Sequence, residues 1–246
     1  MSGHSKWSTI KRKKGAADAK RSKIFSRIVK EIAVAVKESG ADEETNPRLR
    51  MAIQNAKGAN MPKDNISRAI SKANKDDSNF LEITFEGYAP HGIAIFVECL
   101  TDNNNRTISN IRAIFTKKGG SLGTNGSLSY LFDRKGVFNI PKGELDPDEF
   151  ELEIIDAGVE DFELDGDTFI ITTALEDFGN MQKKFEEMGI VPENAELQRI
   201  PNDTKTLDVQ EARKIISMVE MFEDDDDVQN VFHNLEMTDE LMDEIS

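Results

Sequence analysis

The sequence predicts an α+β protein of three domains: an N-terminal helical bundle and two α+β domains, the last inserted into the middle one. The first 75 residues repeat apolar side chains with a helical period, and from Leu81 the pattern alternates as in strands. Residues 135–200 contain a complete set of strands and helices that interrupts the domain begun at Leu81. The predicted boundaries are 1–78 for the basic arm and helical domain, 79–132 plus 205–246 for the discontinuous domain, and 133–204 for the inserted domain.

Composition limits the class of protein. The chain has 246 residues, of which 31 % are charged and 38 % hydrophobic, as in a soluble globular protein. No window approaches the roughly 18 consecutive apolar residues of a membrane helix, so we expect no membrane association. The single cysteine, Cys99, excludes an intramolecular disulfide and a thiolate zinc site. Charged residues follow Trp7 where a signal peptide would be apolar, so we expect a cytoplasmic protein.

Three helices are predicted before residue 76. Residues 1 to about 15 carry too little apolar surface to fold alone and are predicted to form a mobile arm. A first helix extends from about residue 16 to Glu38, since its apolar residues recur at steps of three and four: Ile24, Phe25, Ile28, Val29, Ile32 and Val36. Pro47 and Pro62 mark the starts of two shorter helices. The polar residues 74–79 are predicted to form a linker.

The middle domain begins as an open sheet. Leu81–Tyr88 alternates apolar and polar residues and Ile93–Leu100 is apolar almost throughout, which predicts a half-buried and a buried strand. A helix over Asn104–Lys118, a glycine-rich turn and a strand over Ser127–Phe132 are predicted to follow. One helix leaves much of such a sheet uncovered, so further elements must complete it.

The completing elements are predicted after the insertion. Val209, Ala212, Ile216 and Val219 indicate an amphipathic helix, and residues 228–235 indicate a last strand. We expect both to return to the sheet begun at Leu81. The acidic residues 236–246 are expected to be frayed.

The inserted domain has the order β-α-β-β-α-β, which is the ferredoxin-like arrangement. Its predicted elements are strand Gly136–Ile140, helix Pro147–Ala157, strand Val159–Leu164, strand Thr168–Thr172, helix Leu175–Met188 and strand Ala195–Ile200. Asp165-Gly166 forms the tight turn between the second and third strands.

Charge is divided unevenly along the chain. Residues 1–75 hold 18 Lys and Arg against 7 Asp and Glu, a net of +11, and the remainder holds 13 against 39, a net of −26. Because binding responds to charge within about one Debye length, the acidic total does not exclude a basic nucleic-acid site. Phosphates attract cations and exposed bases stack on aromatic rings. The candidate contacts are His4, Lys6, Trp7, Lys11, Arg12, Lys13, Lys14, Lys20, Arg21 and Lys23. A merely solvated basic tail is the alternative.

A second candidate site lies between a strand and a helix. Its residues are Asp102, Asn103, Asn105 and Arg106. An arginine and several amides at a helix N-terminus form a reasonable anion site. The same side chains also suffice as a helix cap, and both interpretations are open.

Two short motifs suggest catalysis or metal binding, but neither has the structural context or the residues that such a site requires. Gly119-Gly120-Ser121-Leu122-Gly123 matches the G-x-S-x-G pattern of hydrolases, but that motif needs a strand before the serine and a helix after it, and the predicted order is the reverse. Counted from Asp224, an EF-hand would need Gly at position 229 and Glu at position 235, where Gln229 and Leu235 stand. We therefore expect no enzyme activity, catalytic residue, metal, cofactor or small-molecule substrate.

Four segments in order carry a family resemblance. They are Gly3-His4-Ser5-Lys6-Trp7; Asn60-Met61-Pro62-Lys63-Asp64-Asn65-Ile66 with Arg68-Ala69-Ile70; Thr101-Asp102-Asn103 with Asn105-Arg106-Thr107; and the loop from Gly119-Gly120 to Phe132. Through these the sequence resembles the YebC/PmpR family, whose mitochondrial relatives are translational activators of cytochrome oxidase subunit one. The resemblance implies three domains, the second interrupted, and no enzymatic activity. Members are described as DNA-binding probable transcriptional regulators, and others are similar to ribosome-associated factors that assist translation, including across proline-rich stretches.

We expect a monomeric, non-enzymatic regulator of gene expression that binds DNA through its basic N-terminal region. The first alternative is a translation factor that binds ribosomal or transfer RNA on the ribosome. No clear helix-turn-helix is present, since only Lys63, Arg68 and Lys72 of the bundle would face a duplex, and we expect DNA binding of low specificity. The second alternative is a protein-binding scaffold in which the acidic domains recruit a basic partner.

Overall fold

The computed structural model describes residues 18–75 and 80–245, with the side chains of all of these except 18–20 and 245. The helices are α1 (Asp18–Ser39), α2 (Pro47–Gly58), α3 (Lys63–Lys75), α4 (Asn104–Lys117), α5 (Pro147–Ile154), α6 (Phe178–Met188), α7 (Val209–Asp224) and α8 (Asp239–Ile245). The strands are β1 (Leu81–Ala89), β2 (Ile93–Thr101), β3 (Ser121–Leu122), β4 (Phe132–Pro141), β5 (Val159–Asp165), β6 (Thr168–Ala174), β7 (Asn194–Pro201) and β8 (Val228–His233). The predicted arm and most of the predicted linker lie outside the described residues.

Two compact units make up the described chain. The first unit contains residues 18–27, 80–133 and 200–245, and the second unit contains residues 28–75 and 134–199. None of the described helices is both long enough and apolar enough to cross a membrane.

The first unit is built on a four-stranded sheet of order β3-β1-β2-β8. β1 and β2 pair antiparallel from Leu81 opposite Thr101 to Ala89 opposite Ile93, and β8 pairs antiparallel with β2. The predicted return of a helix and a strand to this sheet is therefore confirmed. α4 and α7 cover one face, where the rings of Phe115 and Phe222 lie 4.9 Å apart in the main core.

A smaller cluster covers part of the opposite face of this sheet. It consists of Ala94, Phe96, Leu128, Phe132 and Phe232, with Tyr88 and Leu131 packed against it. Leu128 comes from the loop that follows β3, so this loop reaches the face opposite to α4.

The strand predicted over Ser127–Phe132 is wrong. The chain instead forms the two-residue strand β3, an exposed loop and a 3-10 turn over Ser129–Leu131, and β4 begins only at Phe132. The backbone N–H groups of Gly126 and Leu128 donate to the Glu86 carboxylate, so they are not available to a strand ladder.

The C-terminal residues are helical rather than frayed. Leu241 on α8 is 1 % exposed, and Met237 just before the helix is fully buried. Arg213 on α7 forms an ion pair of 2.8 Å with Glu244. Apolar burial therefore holds α8 against the core of the first unit despite its acidic composition.

In the second unit, the inserted domain has the ferredoxin-like sheet order β5-β6-β4-β7. α5 and α6 supply Phe150 and Phe185 to its core, which also contains Phe138 and Phe169 of the central strands. The helix predicted from Leu175 begins three residues later, at Phe178. The ferredoxin-like insertion is confirmed.

Polar contacts fix the helical part of the second unit. The buried Asn46 caps α2 by accepting from the backbone N–H of Leu49, and its amide donates to the carbonyls of Ala35 and Gly40. Asn55 on α2 exchanges two hydrogen bonds of 2.9 Å with the backbone of Ala195 on β7. The predicted domain boundaries stay predictions, and α2 and the inserted domain lie in one compact unit.

Candidate nucleic-acid interface

Most of the predicted arm contacts lie outside the described residues. These are His4, Lys6, Trp7, Lys11, Arg12, Lys13 and Lys14. Lys20 lies on α1 at a position where only the backbone is described, whereas Arg21 and Lys23 are fully described. The Arg21 guanidinium lies 5.5 Å from the ring centroid of Phe25, within the range of a cation–π contact. The nucleic-acid contacts of the arm stay predictions.

Lys23 and Arg27 lie at the C-terminal end of α7. The Lys23 ammonium donates to the Asp224 carbonyl at 3.0 Å and forms an ion pair with the Asp224 carboxylate. Arg27 donates to the Glu223 carbonyl at 2.8 Å. The last carbonyls of a helix lack intrahelical partners and carry partial negative charge, which cations stabilise. A phosphate that bound Lys23 would therefore have to compete with Asp224.

The acidic run Glu223–Asp227 is hydrogen-bonded to neighbouring elements of the fold. The Asp225 carboxylate accepts from the Asn110 amide on α4 at 2.9 Å, and the Asp227 carbonyl accepts from the backbone N–H of Leu100 at 2.8 Å. Together with the contacts of Lys23 and Arg27, these bonds connect the end of α7 to α1, α4 and β2 within the first unit. The run is a structural junction, which the sequence pattern alone did not show.

The strongest contact at this junction joins Arg106 and Asp227. The Arg106 guanidinium donates to both Asp227 oxygens, at 2.9 and 2.7 Å from one terminal nitrogen and 3.1 Å from Nε. The Thr107 hydroxyl donates to the same carboxylate at 2.9 Å. The Asp227 side chain is 5 % exposed, while that of Arg106 is 46 % exposed. Asp227 first and then Asp102 raise the pKa of Arg106, so the guanidinium stays charged.

The segment predicted as an anion site is organised as a helix cap. The Asn103 side chain accepts from the backbone N–H of Arg106 at 3.1 Å, and the Thr101 hydroxyl accepts from the backbone N–H of Asn103 at 2.9 Å. Asn105 is exposed, and its carbonyl accepts from the Ser109 hydroxyl. Because Asp102 and Asp227 both neutralise Arg106, the geometry favours the cap of the two interpretations left open by the sequence.

A buried carboxylate holds the glycine-rich loop. Glu86 on β1 is 3 % exposed and accepts from the backbone N–H groups of Gly126 at 2.7 Å and Leu128 at 2.5 Å. Its own carbonyl accepts from the N–H of Gly123 at 2.7 Å. A left-handed φ of 85° at Gly126 allows the chain to turn back toward this carboxylate. One side chain therefore fixes the path of the loop.

We expect Glu86→Gln to lower the free energy of unfolding by about 2 kcal/mol, because the two backbone N–H groups donate to different carboxylate oxygens and the amide replaces one of these oxygens with an NH2 donor. Urea denaturation measures the stability, and amide hydrogen exchange at Gly126 and Leu128 reports the loop. Glu82→Gln, an equal charge change at an exposed position of the same strand, is the control. Equal stability losses and unchanged exchange in both variants would contradict the role assigned to Glu86.

The fold and charge distribution define an α+β protein with a basic N-terminal region and an inserted ferredoxin-like domain. Models of the TACO1/YebC N-terminal domain and of the TACO1/YebC second and third domain match residues 5–76 and 80–235. The chain belongs to the TACO1/YebC family, which confirms the resemblance seen in its sequence motifs.

Relatives of high similarity cover 96 to 100 % of this chain. A probable transcriptional regulatory protein of Amoebophilus asiaticus is 51 % identical over 239 residues, which cover 96 % of this chain and 98 % of that protein. One of Rubrobacter xylanophilus with the same name is 48 % identical and covers 100 % of both chains. The crystal structure of a conserved hypothetical protein from Aquifex aeolicus has a TM-score of 0.80 and 42 % identity, covering 89 % of this chain and 91 % of that one. The relatives' names support a regulatory role.

Proposed function

We propose that this protein is a cytoplasmic, non-enzymatic regulator of gene expression that binds nucleic acid through its basic N-terminal region. The observation that carries the proposal is the charge division: nine of the first 27 residues are Lys or Arg and one is acidic, whereas the chain as a whole has a charge of −15. Cations concentrated at one end of an acidic protein neutralise phosphates there, and the acidic remainder is repelled from them.

The first candidate function is a DNA-binding transcriptional regulator, because the relatives from Amoebophilus and Rubrobacter are named probable transcriptional regulatory proteins. The second is an RNA-binding translation factor on the ribosome. A basic segment that contains Trp7 offers a stacking surface for unpaired bases, which structured RNA presents more often than duplex DNA. On α3, Arg68 is engaged by the Asp64 carbonyl and the Asn65 side chain, so few cations remain for reading base edges.

Replacing Lys11, Arg12, Lys13 and Lys14 together by glutamine tests the proposal. We expect weaker binding to labelled DNA and RNA, and a slope of log affinity against log salt that is smaller by about 3, since each phosphate contact contributes about 0.7–0.9. Fluorescence anisotropy at several salt concentrations measures both quantities.

The matched control for this variant carries the same charge change elsewhere. It replaces Arg134, Lys142, Lys183 and Lys184 in the inserted domain by glutamine and should leave the salt slope unchanged. An unchanged affinity and slope in the N-terminal variant would refute nucleic-acid binding through this region and favour the scaffold alternative.

Co-sedimentation with ribosomes distinguishes the transcriptional regulator from the translation factor. The full chain and a variant without residues 1–14 are sedimented from lysate at moderate salt, with and without DNase. Co-sedimentation that needs residues 1–14 and persists after DNA digestion supports the translation factor. Absence from ribosomal fractions, together with retention on promoter DNA that needs the same residues, supports the transcriptional regulator. Co-sedimentation or DNA retention that is unchanged when residues 1–14 are deleted supports the protein-binding scaffold.

A further inference from the structure

A second electropositive segment lies in the first unit, away from the N-terminal region. Residues 103–132 contain four Lys and Arg and no Asp or Glu, in a chain with 46 acidic residues. The first part of the segment is α4, and the last part is the loop of residues 119–130, which we call the edge loop. Gly119 to Phe132 carries no charged side chain at all.

The edge loop crosses the outer edge of the first sheet. It begins after α4 on one face and pairs with Gly87 and Tyr88 through β3. A Cβ atom at Gly120 would lie 2.5 Å from the Tyr88 carbonyl oxygen, so the loop approaches β1 more closely than a side chain would allow. It ends on the opposite face, where Leu128 is fully buried. With the bonds to Glu86, the loop has one fixed path.

The outer surface of the edge loop is uncharged and built from small residues. Its exposed positions are Gly119, Ser121, Gly123, Thr124, Asn125, Gly126, Ser129 and Tyr130, and Lys117 is exposed just before it. Such side chains allow a close approach of a sugar–phosphate backbone and offer hydroxyl, amide and backbone groups for hydrogen bonds. The surface therefore has a cation at one end and an aromatic ring at the other.

Tyr130 is held in place although its side chain faces solvent. The residue is 69 % exposed. Its carbonyl accepts from the Asn202 amide at 3.2 Å, and the neighbouring Leu131 carbonyl accepts from the Asn202 backbone N–H at 2.9 Å. Its hydroxyl interacts with that of Tyr88, whose pKa is raised by burial first and by Tyr130 second. The backbone at Tyr130 is thus fixed, and much of the surface of its ring is open.

We propose that the edge loop is a second nucleic-acid contact, in which an unpaired base stacks on Tyr130 and the adjoining backbone phosphates lie along the loop toward Lys117. The ligand class is a single-stranded stretch of RNA or DNA, and the inference rests on the proposed function. Within the edge loop the exposed neighbours of Tyr130 are small and polar. The exposed Asp133 just after the loop lies 3.5 Å from the Asn202 amide that also binds the Tyr130 carbonyl, so the phosphates are expected on the other side of the ring, toward Lys117. Stacking needs a single accessible ring, which this site supplies.

A tryptophan placed at the site reports the contact directly. Tyr130→Trp is made in a Trp7→Phe background, so that the introduced indole is the only one in the chain. Leu152→Trp in the same background is the control, because Leu152 on α5 is also 69 % exposed but lies among acidic residues. Twelve-nucleotide oligo(U) and oligo(dT) are titrated in, and total binding is followed separately by anisotropy of a labelled oligonucleotide. We expect quenching at position 130 and none at position 152.

Affinity gives an independent readout. Tyr130→Ala is expected to weaken binding of the same oligonucleotides about tenfold, and Tyr130→Phe to retain it, because stacking needs the ring. Thermal unfolding should be unchanged in both, since the side chain is exposed. The preference between oligo(U) and oligo(dT) identifies RNA or DNA as the source of the base.

Four results would overturn the inference. Oligonucleotide binding without quenching at position 130, and with normal affinity in Tyr130→Ala, refutes the second contact while the proposed function stands. Equal quenching at positions 130 and 152 shows non-specific association. Normal oligonucleotide binding combined with lost ribosome co-sedimentation in Tyr130→Ala identifies a protein contact instead. Absence of any binding to the unaltered chain refutes both the inference and the proposed function.

Discussion

Asp227→Asn is expected to lower the free energy of unfolding by about 3 kcal/mol, one of the two largest effects we predict. The Asp227 carboxylate is almost fully buried and accepts from Arg106 and Thr107 at once. An asparagine of the same size keeps one acceptor oxygen but directs N–H groups at these donors and loses the charge that Arg106 requires. The junction between α7, α4 and β2 therefore loses its central ion pair.

Urea denaturation of the variant measures this loss, and Asp226→Asn is the control. Asp226 is the adjacent residue and is exposed, so its replacement changes the net charge equally without touching the buried pair. Arg106→Gln should also be destabilising, because it leaves Asp227 buried without its counter-ion. Similar stabilities of the Asp227 and Asp226 variants would show that the ion pair does not hold the junction.

The junction also engages Lys23, which is one of the predicted N-terminal contacts, and Arg27, which was not predicted as a contact. Lys23 and Arg27 already bind the end of α7, where Asp224 and the last carbonyls attract them. When nucleic acid binds these cations, the free energy gained is reduced by the free energy of the contacts with α7 that are lost. Under the proposed function, most of the binding free energy must therefore come from the cations that precede them along the chain.

The fold was predictable wherever the local spacing of apolar residues determined the secondary structure. The alternation from Leu81 and the apolar run from Ile93 located β1 and β2, and the β-α-β-β-α-β order of residues 135–200 identified the insertion. These features depend on neighbouring residues, which the sequence shows directly.

Predictions failed where distant partners decided the structure. The alternating pattern before Phe132 resembles a strand, but Glu86, some forty residues earlier, binds the N–H groups of Gly126 and Leu128. In an alternating strand Glu86 looks like an outward-facing polar residue, and no local signal marks it as a buried acceptor. For α8 a signal did exist: Met237 and Leu241 are spaced by one helical turn, but the acidic composition concealed it.

The candidate site shows the same limit. Asn103 as a helix cap was predictable from residue type and position. Asp227 was not, because it is one of several consecutive acidic residues and its partner Arg106 lies 121 positions earlier. The pairing of β8 with β2 and the packing of α7 against α4 bring this part of the chain back to the start of α4.

Acid sensitivity through His233 is the other large effect. His233 on β8 is fully buried, and burial lowers its pKa from 6.5 to about 4, a shift that a backbone interaction near Leu235 only partly opposes. The unfolded chain therefore takes up a proton near pH 6.5 while the folded chain does not, so stability falls as the pH falls from 6.5 toward 4. Over that whole window the loss is about 3 kcal/mol.

Urea denaturation at about pH 7.5 and about pH 5.2, both above the isoelectric point near 4.7, should show about 2 kcal/mol of this loss in the unaltered chain. His233→Gln removes the titrating group, so the difference between the two proteins must shrink as the pH falls, whatever the carboxylates contribute to both. The histidine ring signal in the NMR spectrum that disappears in His233→Gln should keep its neutral position down to about pH 5. Titration of that signal near 6.5, or a pH-independent difference between the two proteins, would show that burial does not keep His233 neutral, since a proton bound equally in both states cannot change the free energy of unfolding.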